Sequence, residues 1–340
     1  MNKGIKFGVF ADLHVDIMHD GEARMEAFVK ACREAEVDFV IQLGDYCYPD
    51  TRNCICAPEK RPINIENALH YPTYVDKKRI VEIYKEFEKP SYHVLGNHDC
   101  DMCSKAEVLA NYGEGYKPYY AFDMGGIHFI VLDPNYYVID GVYHSFENGN
   151  YFDESYREER VLPVLPPEQV EWLKKELEDT KLPSVLFSHQ GLSGEMPSDI
   201  LNAKEVRKIL KEAPAGVLAS FNGHAHIDHA QKLDDIWFVA INSMSNQWLD
   251  MDFICEERFG KEVDEKFPNI KYTAPYKDSL FAIITINEEE IDIKGIQSEF
   301  VGPSPDELGL YEPGTWWDVY GDKARSTPSI IDRKFDLNKK

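Results

Sequence analysis

Five short runs of metal-ligand residues constrain this chain more than anything else in it: Asp12-Leu13-His14, Gly44-Asp45, Gly96-Asn97-His98-Asp99, His189 and Gly223-His224-Ala225-His226. Each follows an apolar stretch that reads as a buried strand. Side chains spread from residue 12 to residue 226 can meet only if those strands share one sheet system with their ends gathered at one edge, so two independently folded halves are excluded. The runs offer carboxylate, amide oxygen and imidazole nitrogen but no thiolate, a donor set that suits a Mn, Fe or Zn centre that activates water. Glycines 44, 96, 191 and 223 let the chain turn where ligands converge. Ordinary turn glycines predict the same residue type.

Residues 5–11 form a short apolar strand that delivers Asp12 and His14. Residues 22–36 carry Met25, Phe28, Val29 and Cys32 at helical spacing, and residues 75–89 do the same with Ile80, Ile83, Tyr84 and Phe87. Strands at 38–43 and 92–95 end on Gly44-Asp45 and Gly96-Asn97. Strand, ligand loop, helix is the rhythm of a βαβ sheet. Further on, 119–122 and 128–132 flank the hairpin signal Met124-Gly125-Gly126, and a helix at 168–177 follows Pro166-Pro167. Strands 184–187 and 217–221 lead to His189 and His224, Asn202 caps a helix at 203–212, and strands at 236–241, 281–286 and 291–294 complete the set.

With 43% hydrophobic and 29% charged residues, the 340-residue chain has the composition of soluble globular protein. A formal net charge of −23 and the lack of any basic tract argue against general nucleic-acid or anionic-membrane binding. Met1-Asn2-Lys3-Gly4 runs straight into the first strand without the layout of a signal peptide, and no 18 apolar residues run together; the expected location is the cytoplasm.

The ordered pattern D-x-H, GD, GNH[DE], H, GHxH resembles that of the calcineurin-like metallophosphoesterases, over residues 5 to about 294. The resemblance implies an α/β fold: a four-layer αββα sandwich of two mixed sheets flanked by helices, with the metal site at the strand-end loops. It implies two divalent ions (Mn, Fe or Zn) bridged by Asp45, one bound also by Asp12, His14 and His226, the other by Asn97, His189 and His224. Two such ions and two carboxylates leave a local positive excess that draws an anionic phosphate. A hydroxide between the ions is then expected to attack phosphorus, with His98 protonating the departing oxygen or stabilising it by a hydrogen bond. Asp99 is expected to hold the far ring nitrogen of His98 and keep it cationic.

The same reading sets a phosphoesterase domain at 1–299, with long connections at about 46–72 and 134–166, and an extended tail at 300–340 that packs on the domain or on a neighbouring subunit. Loops of that length act as lids or binding walls. Their aromatics, among them Tyr46, Tyr48, Tyr71, Tyr136, Tyr137, Tyr143, Phe146 and Tyr151, can stack on a nucleobase or fill a small core beneath the loops. Asn246, Gln247 and Trp248 are expected on the opposite wall. Cys47, Cys54, Cys56, Cys100 and Cys103 crowd behind two ligand runs and read either as a thiolate metal or redox site or as reduced thiols.

Substrate class follows from details of the runs. Gly44-Asp45 lacks the GDxxDRG ending of the phosphoprotein phosphatases, and Leu95 rather than Arg precedes Gly96. Gly44 to Tyr48 matches the GDxxY of purple acid phosphatases, whose first motif lacks a residue such as His14. The D-x-H form is similar to that of class III cyclic-nucleotide phosphodiesterases. A small phosphodiester or nucleotide is the expected substrate, a phosphomonoester or a pyrophosphate-linked nucleotide the alternative, and a catalytically silent scaffold of the same fold the reading from another class.

Overall fold

The computed structural model describes residues 4–46, 77–101, 103–150, 162–196, 198–249, 251–313 and 325–338. Among them β1 (Ile5–Phe10), β2 (Phe39–Gln42) and β3 (Ser91–His93) lie parallel and side by side, with α1 (Gly21–Glu34) and α2 (Lys77–Lys85) in the connections. Beyond β1 the sheet continues antiparallel through β14 (Ala282–Ile286), β15 (Glu290–Lys294) and β16 (Arg333–Asp336). A second six-stranded sheet runs in the order β10 (His229–Leu233), β11 (Ile236–Ala240), β9 (Val217–Asn222), β8 (Ser184–Ser188), β5 (Ile127–Val131) and β4 (Tyr120–Met124). Its middle pairs are parallel, and its two edge pairs antiparallel.

The two-residue period of the strands builds the layers. Phe7 and Val9 of β1, Phe39 and Ile41 of β2, Phe129 and Val131 of β5, Val185 and Phe187 of β8, and Ala219 and Phe221 of β9 form one buried core between the sheets. The Phe7 ring stacks on Phe39 (4.8 Å between centroids) and meets Phe187 edge-on (5.7 Å). Each buried ring contributes about 1.5–3 kcal/mol from area alone, so this core fixes the spacing between the sheets. Residues in alternate positions face outward: Phe10 and Val40 meet Phe28, Val29 and Tyr84 of α1 and α2, while Ile130 and Leu186 meet Leu173 of α4 (Pro167–Asp179) and Val206 of α5 (Ala203–Lys211). Helices on both outer faces complete a four-layer α/β sandwich. Between β8 and β9 the register slips, Ser184 facing Val217 and Val185 facing Ala219. One extra residue there turns Ala219 and Phe221 to the inner core while Val217 faces the helices.

Three expectations change. The connection at 134–166 contains a hairpin, β6 (Tyr136–Ile139) with β7 (Val142–Ser145), turned by Asp140 and Gly141 at φ 50° and 78°. Asn202 makes no cap on α5; its side chain instead accepts from Leu165 N–H and donates to Leu165 O, both at 3.0 Å, and so pins the approach to α4. Within 300–340, residues 333–336 are the edge strand of the first sheet, and Phe335 stacks at 3.9 Å on Trp237 of the second. A short third helix, α3 (Lys105–Tyr112), starts from a capping box made by Ser104 and Glu107, and β12 (Asn246–Trp248) pairs antiparallel with β13 (Thr273–Pro275). Among the described residues no helix is long and apolar enough to cross a membrane.

Candidate metal centre

All seven expected ligand residues lie at one end of the sandwich, just past the carboxyl ends of parallel strands: Asp12 and His14 after β1, Asp45 after β2, Asn97 after β3, His189 after β8, and His224 and His226 after β9. The first three loops belong to one sheet and the last two to the other. Ligand atoms of Asp12, His14 and His226 lie within 4.8 Å of one another, and so do those of Asp45, His189 and His224. Beside the second group stands Asn97, whose Oδ1 is 3.0 Å from His189 Nε2.

The backbone holds these residues in a conformation L-amino acids rarely adopt. Asp12, His14, Asp45, His224 and His226 all have φ between 48° and 63°. The neighbouring loops hold them there: Asp12 N–H donates to Gly44 O (3.0 Å), His14 N–H to Asp45 O (3.1 Å), His224 N–H to Asp12 Oδ2 (2.9 Å) and His98 N–H to Asp45 Oδ1 (2.9 Å). Left-handed backbone costs of order 1–3 kcal/mol per residue and persists where the surroundings over-determine it, as at functional sites. Two glycines make room for it. A Cβ on Gly96 would overlap the carboxylate and backbone nitrogen of Asp45, and one on Gly223 would stand 2.6 Å from Asp12 Oδ2.

Proton bookkeeping shows that the donor set fits cations. His226 Nδ1 is 2.6 Å from Asn246 O and His189 Nδ1 is 2.7 Å from Leu43 O, so a proton sits on each Nδ1 and Nε2 is the ring atom each turns inward. His226 Nε2 then faces His14 Nε2 at 3.1 Å, and His189 Nε2 faces Asn97 Oδ1 and, at 3.1 Å, Asp45 Oδ2. Among the described residues no donor makes a hydrogen bond to the buried Asp12 Oδ1, and His226 Nε2 stands 3.4 Å from it. Lone pairs of imidazole, amide and carboxylate that converge this closely need either a proton or a cation between them.

The shifted pKa values separate His14 and His224, which stay neutral, from His189, which holds a proton toward Asp45. Burial drives His14 down to about 3, and burial followed by the charge of His189 drives His224 down to about 4. Burial opposes charge at His189 too, but Asp45 and Asp12 outweigh it and hold that imidazolium up to about 9. Burial raises Asp45, yet His189 and His98 more than offset it and keep its carboxyl well below the usual range.

His98 stands beside the ligands, its ring 6.0 Å from that of His14, and burial pulls its pKa well below the ordinary value. Its partner corrects the expectation for Asp99: His98 Nδ1 is 2.8 Å from Asp101 Oδ2. Asp99 turns the other way and accepts from the backbone N–H groups of Asp45 (3.0 Å), Tyr46 (3.0 Å) and Gly96 (2.9 Å), tying two ligand loops together. The reason is local: residues 98–100 form a 3₁₀ turn, in which positions i and i+3 share a side. The HDCD spelling holds both aspartates, so Asp101 was visible as a candidate.

Around the rim, Trp248 lies 5.3 Å from the His14 ring and 5.9 Å from that of His226, while Asn246 acts through the carbonyl that anchors His226. Tyr46, Tyr137 and Phe146 are buried and present no face to a ligand. Cys100 and Cys103 are buried, and Cys103 Sγ donates to Asp99 O. Cys47, Cys54, Cys56, Tyr48, Tyr71, Tyr151, Trp316 and Trp317 lie outside the described residues.

Comparison with solved structures places a dimetal phosphatase from Danio rerio at a TM-score of 0.60, with 16% identity, over 89% of this chain and 100% of that one. GAP50, the anchor in the inner membrane complex of Plasmodium, aligns at 0.49 with 14% identity over 99% of this chain and 90% of its own. A purple acid phosphatase from yellow lupin seeds aligns at 0.47 with 11% identity over 88% of this chain and 52% of its own. A search of curated proteins finds no match. The family of the calcineurin-like phosphoesterases matches over residues 5–228, which include all five ligand runs. The chain therefore belongs to the calcineurin-like phosphoesterases and is a metal-dependent phosphoester hydrolase.

Proposed function

We propose that the protein hydrolyses a small phosphodiester or nucleotide-type substrate at a two-metal centre. Asp12, His14 and His226 would hold one ion, Asn97, His189 and His224 the other, and Asp45 would serve both. The observation that carries the small-substrate reading is the position of His14, whose Nε2 lies 3.1 Å from His226 Nε2 and 3.9 Å from Asp12 Oδ1. An imidazole at that point completes the first ligand group without a tyrosinate, which matches the D-x-H form of the diesterase-like members.

When bound, two divalent ions supply Lewis-acid stabilisation of phosphoryl charge and acidify water. The protein's own groups do the rest. His98 keeps Nδ1 on Asp101, so its Nε2 is the atom that donates a proton or hydrogen bond to the departing oxygen. Trp248, on the His14 and His226 side, offers an aromatic surface to the organic part of the ester. The test is a set of turnover assays on a phosphomonoester, a cyclic nucleotide and a pyrophosphate-linked nucleotide with Mn, Fe and Zn. The highest kcat/KM is expected on the diester. Preference for the monoester overturns the diester reading, and absence of turnover with every metal favours the scaffold.

Asp101 provides a second check. Asp101→Asn keeps the shape but removes the charge that favours the cationic ring, and is expected to lower kcat ~10–100-fold, the usual cost of losing an outer partner. The sign in pH is fixed as well. An imidazolium without its carboxylate titrates lower, so the alkaline limb of the kcat/KM profile moves to lower pH. An unmoved limb removes the Asp101–His98 pair from the chemistry.

A further inference from the structure

An asparagine ligand has a difficulty that a carboxylate lacks. Its amide has nearly the same shape in either orientation, yet the oxygen attracts a cation and the NH2 group repels it. We infer that a buried relay of one-way hydrogen bonds, Lys105–Asp133–Asn135–Gln190, turns the Asn97 oxygen toward the ion, and that these four are positioning residues for metal binding. The inference rests on the ligand reading proposed above.

The polarity starts at a group that can only donate. Lys105, at the start of α3, is almost fully buried; its Nζ is 2.6 Å from Asp133 Oδ2 and 2.9 Å from Asn135 O, and 3.9 Å from the centre of the Tyr136 ring. Asp133, an acceptor on both oxygens, receives Asn135 N–H at 3.1 Å and Asn135 Nδ2 at 2.8 Å on Oδ1. The other Nδ2 proton of Asn135 goes to Leu95 O at 2.7 Å. With both amide protons used, Asn135 Oδ1 can only accept, so Gln190 must present Nε2, at 2.8 Å. The second proton of that Nε2 points to Asn97 Oδ1 at 3.4 Å, the longest link.

Reversing any amide in this series sets donor against donor or acceptor against acceptor. Among the described residues no other group competes for control of Gln190, because none donates to its buried Oε1. Gln169 braces the origin of the relay, accepting from Asp133 N–H at 2.7 Å and donating to Asp133 O at 2.8 Å. Asp133, Asn135, Gln169 and Gln190 are all fully buried. A buried ion pair of this kind is weak evidence for stability, but buried polar networks can fix one arrangement among near-equal alternatives. Here the fixed quantity is which face of Asn97 the cation meets. Lys105, Asp133 and Asn135 lie outside the five ligand runs.

The experiment titrates the full-length chain, stripped of metal, with Mn²⁺, and follows heat and low-temperature electron paramagnetic resonance. Wild type is expected to bind two ions with a spin-coupled signal. In Gln190→Leu the second ion is expected to bind ~10–100-fold more weakly, with the signal of isolated Mn²⁺ at intermediate loading. In an Asn97→Asp background the same change is expected to cost nothing further, since a carboxylate shows oxygen on either side. Equal affinity for the second ion in Gln190→Leu and wild type overturns the relay, as does a cost that persists in the Asn97→Asp background. If circular dichroism shows Gln190→Leu misfolded, Asp133→Asn removes the source of polarity and must weaken the second ion for the relay to stand. A wild type that binds fewer than two ions overturns the ligand reading beneath it, which separates the two failures.

Discussion

Asp45→Asn is expected to leave the fold standing, strip both ions and reduce turnover by ~10³-fold or more, since Lewis-acid stabilisation by the metals amounts to several kcal/mol and each 1.4 kcal/mol is about tenfold. The geometry explains why one residue should empty two places. Its Oδ2 lies 3.1 Å from His189 Nε2 in one ligand group and 4.0 Å from His14 Nε2 in the other, while Oδ1 accepts His98 N–H. Without that charge, two cations at bridging distance repel each other with nothing between them. Asn is also the substitution that isolates charge from conformation. Residue 45 has φ 56°, where Asn is among the best-tolerated side chains. Metal content by mass spectrometry, with a circular dichroism spectrum to show the fold, checks the result. Two ions per chain in the variant would remove Asp45 from the bridging position.

His98→Ala is expected to do the reverse, keeping both ions and lowering turnover ~10²–10⁴-fold. The backbone N–H of residue 98 that supports Asp45 survives the substitution, so the ligand loops keep their brace. The loss should grow with the basicity of the leaving group, because a poor leaving group needs the proton most. A series of aryl and alkyl esters measures that slope. Equal losses across the series, or release of metal, would take His98 out of its assigned role.

Much of this was legible in the sequence because ligand runs and strand ends coincide. Apolar stretches ending at Asp12, Asp45, Asn97, His189 and His224 sit where strands stop; amphipathic spacing located α1 and α2, and the Pro166-Pro167 start located α4, to within a few residues. What was missed has physical reasons. Adjacency suggested Asp99 as the partner of His98, but a 3₁₀ turn pairs i with i+3 and turns Asp99 to backbone amides. The β6–β7 hairpin was announced by Asp140-Gly141 between two β-rich triplets, a turn signal the loop reading passed over. Edge strand β16 pairs with a segment some forty residues earlier, and nothing local encodes that partnership. Hydrogen-bond direction, on which the Gln190 relay depends, exists only once the side chains are packed.

Each ligand group draws from both sheets: Asp12 and His14 on one side face His226 on the other, and Asp45 and Asn97 face His189 and His224. An ion in either group is thus a rivet across the seam of the sandwich. Sliding one slab past the other by an ångström would detune both rivets together, which makes the greasy aromatic filling between the slabs, far from any phosphate, the gauge block of the catalyst.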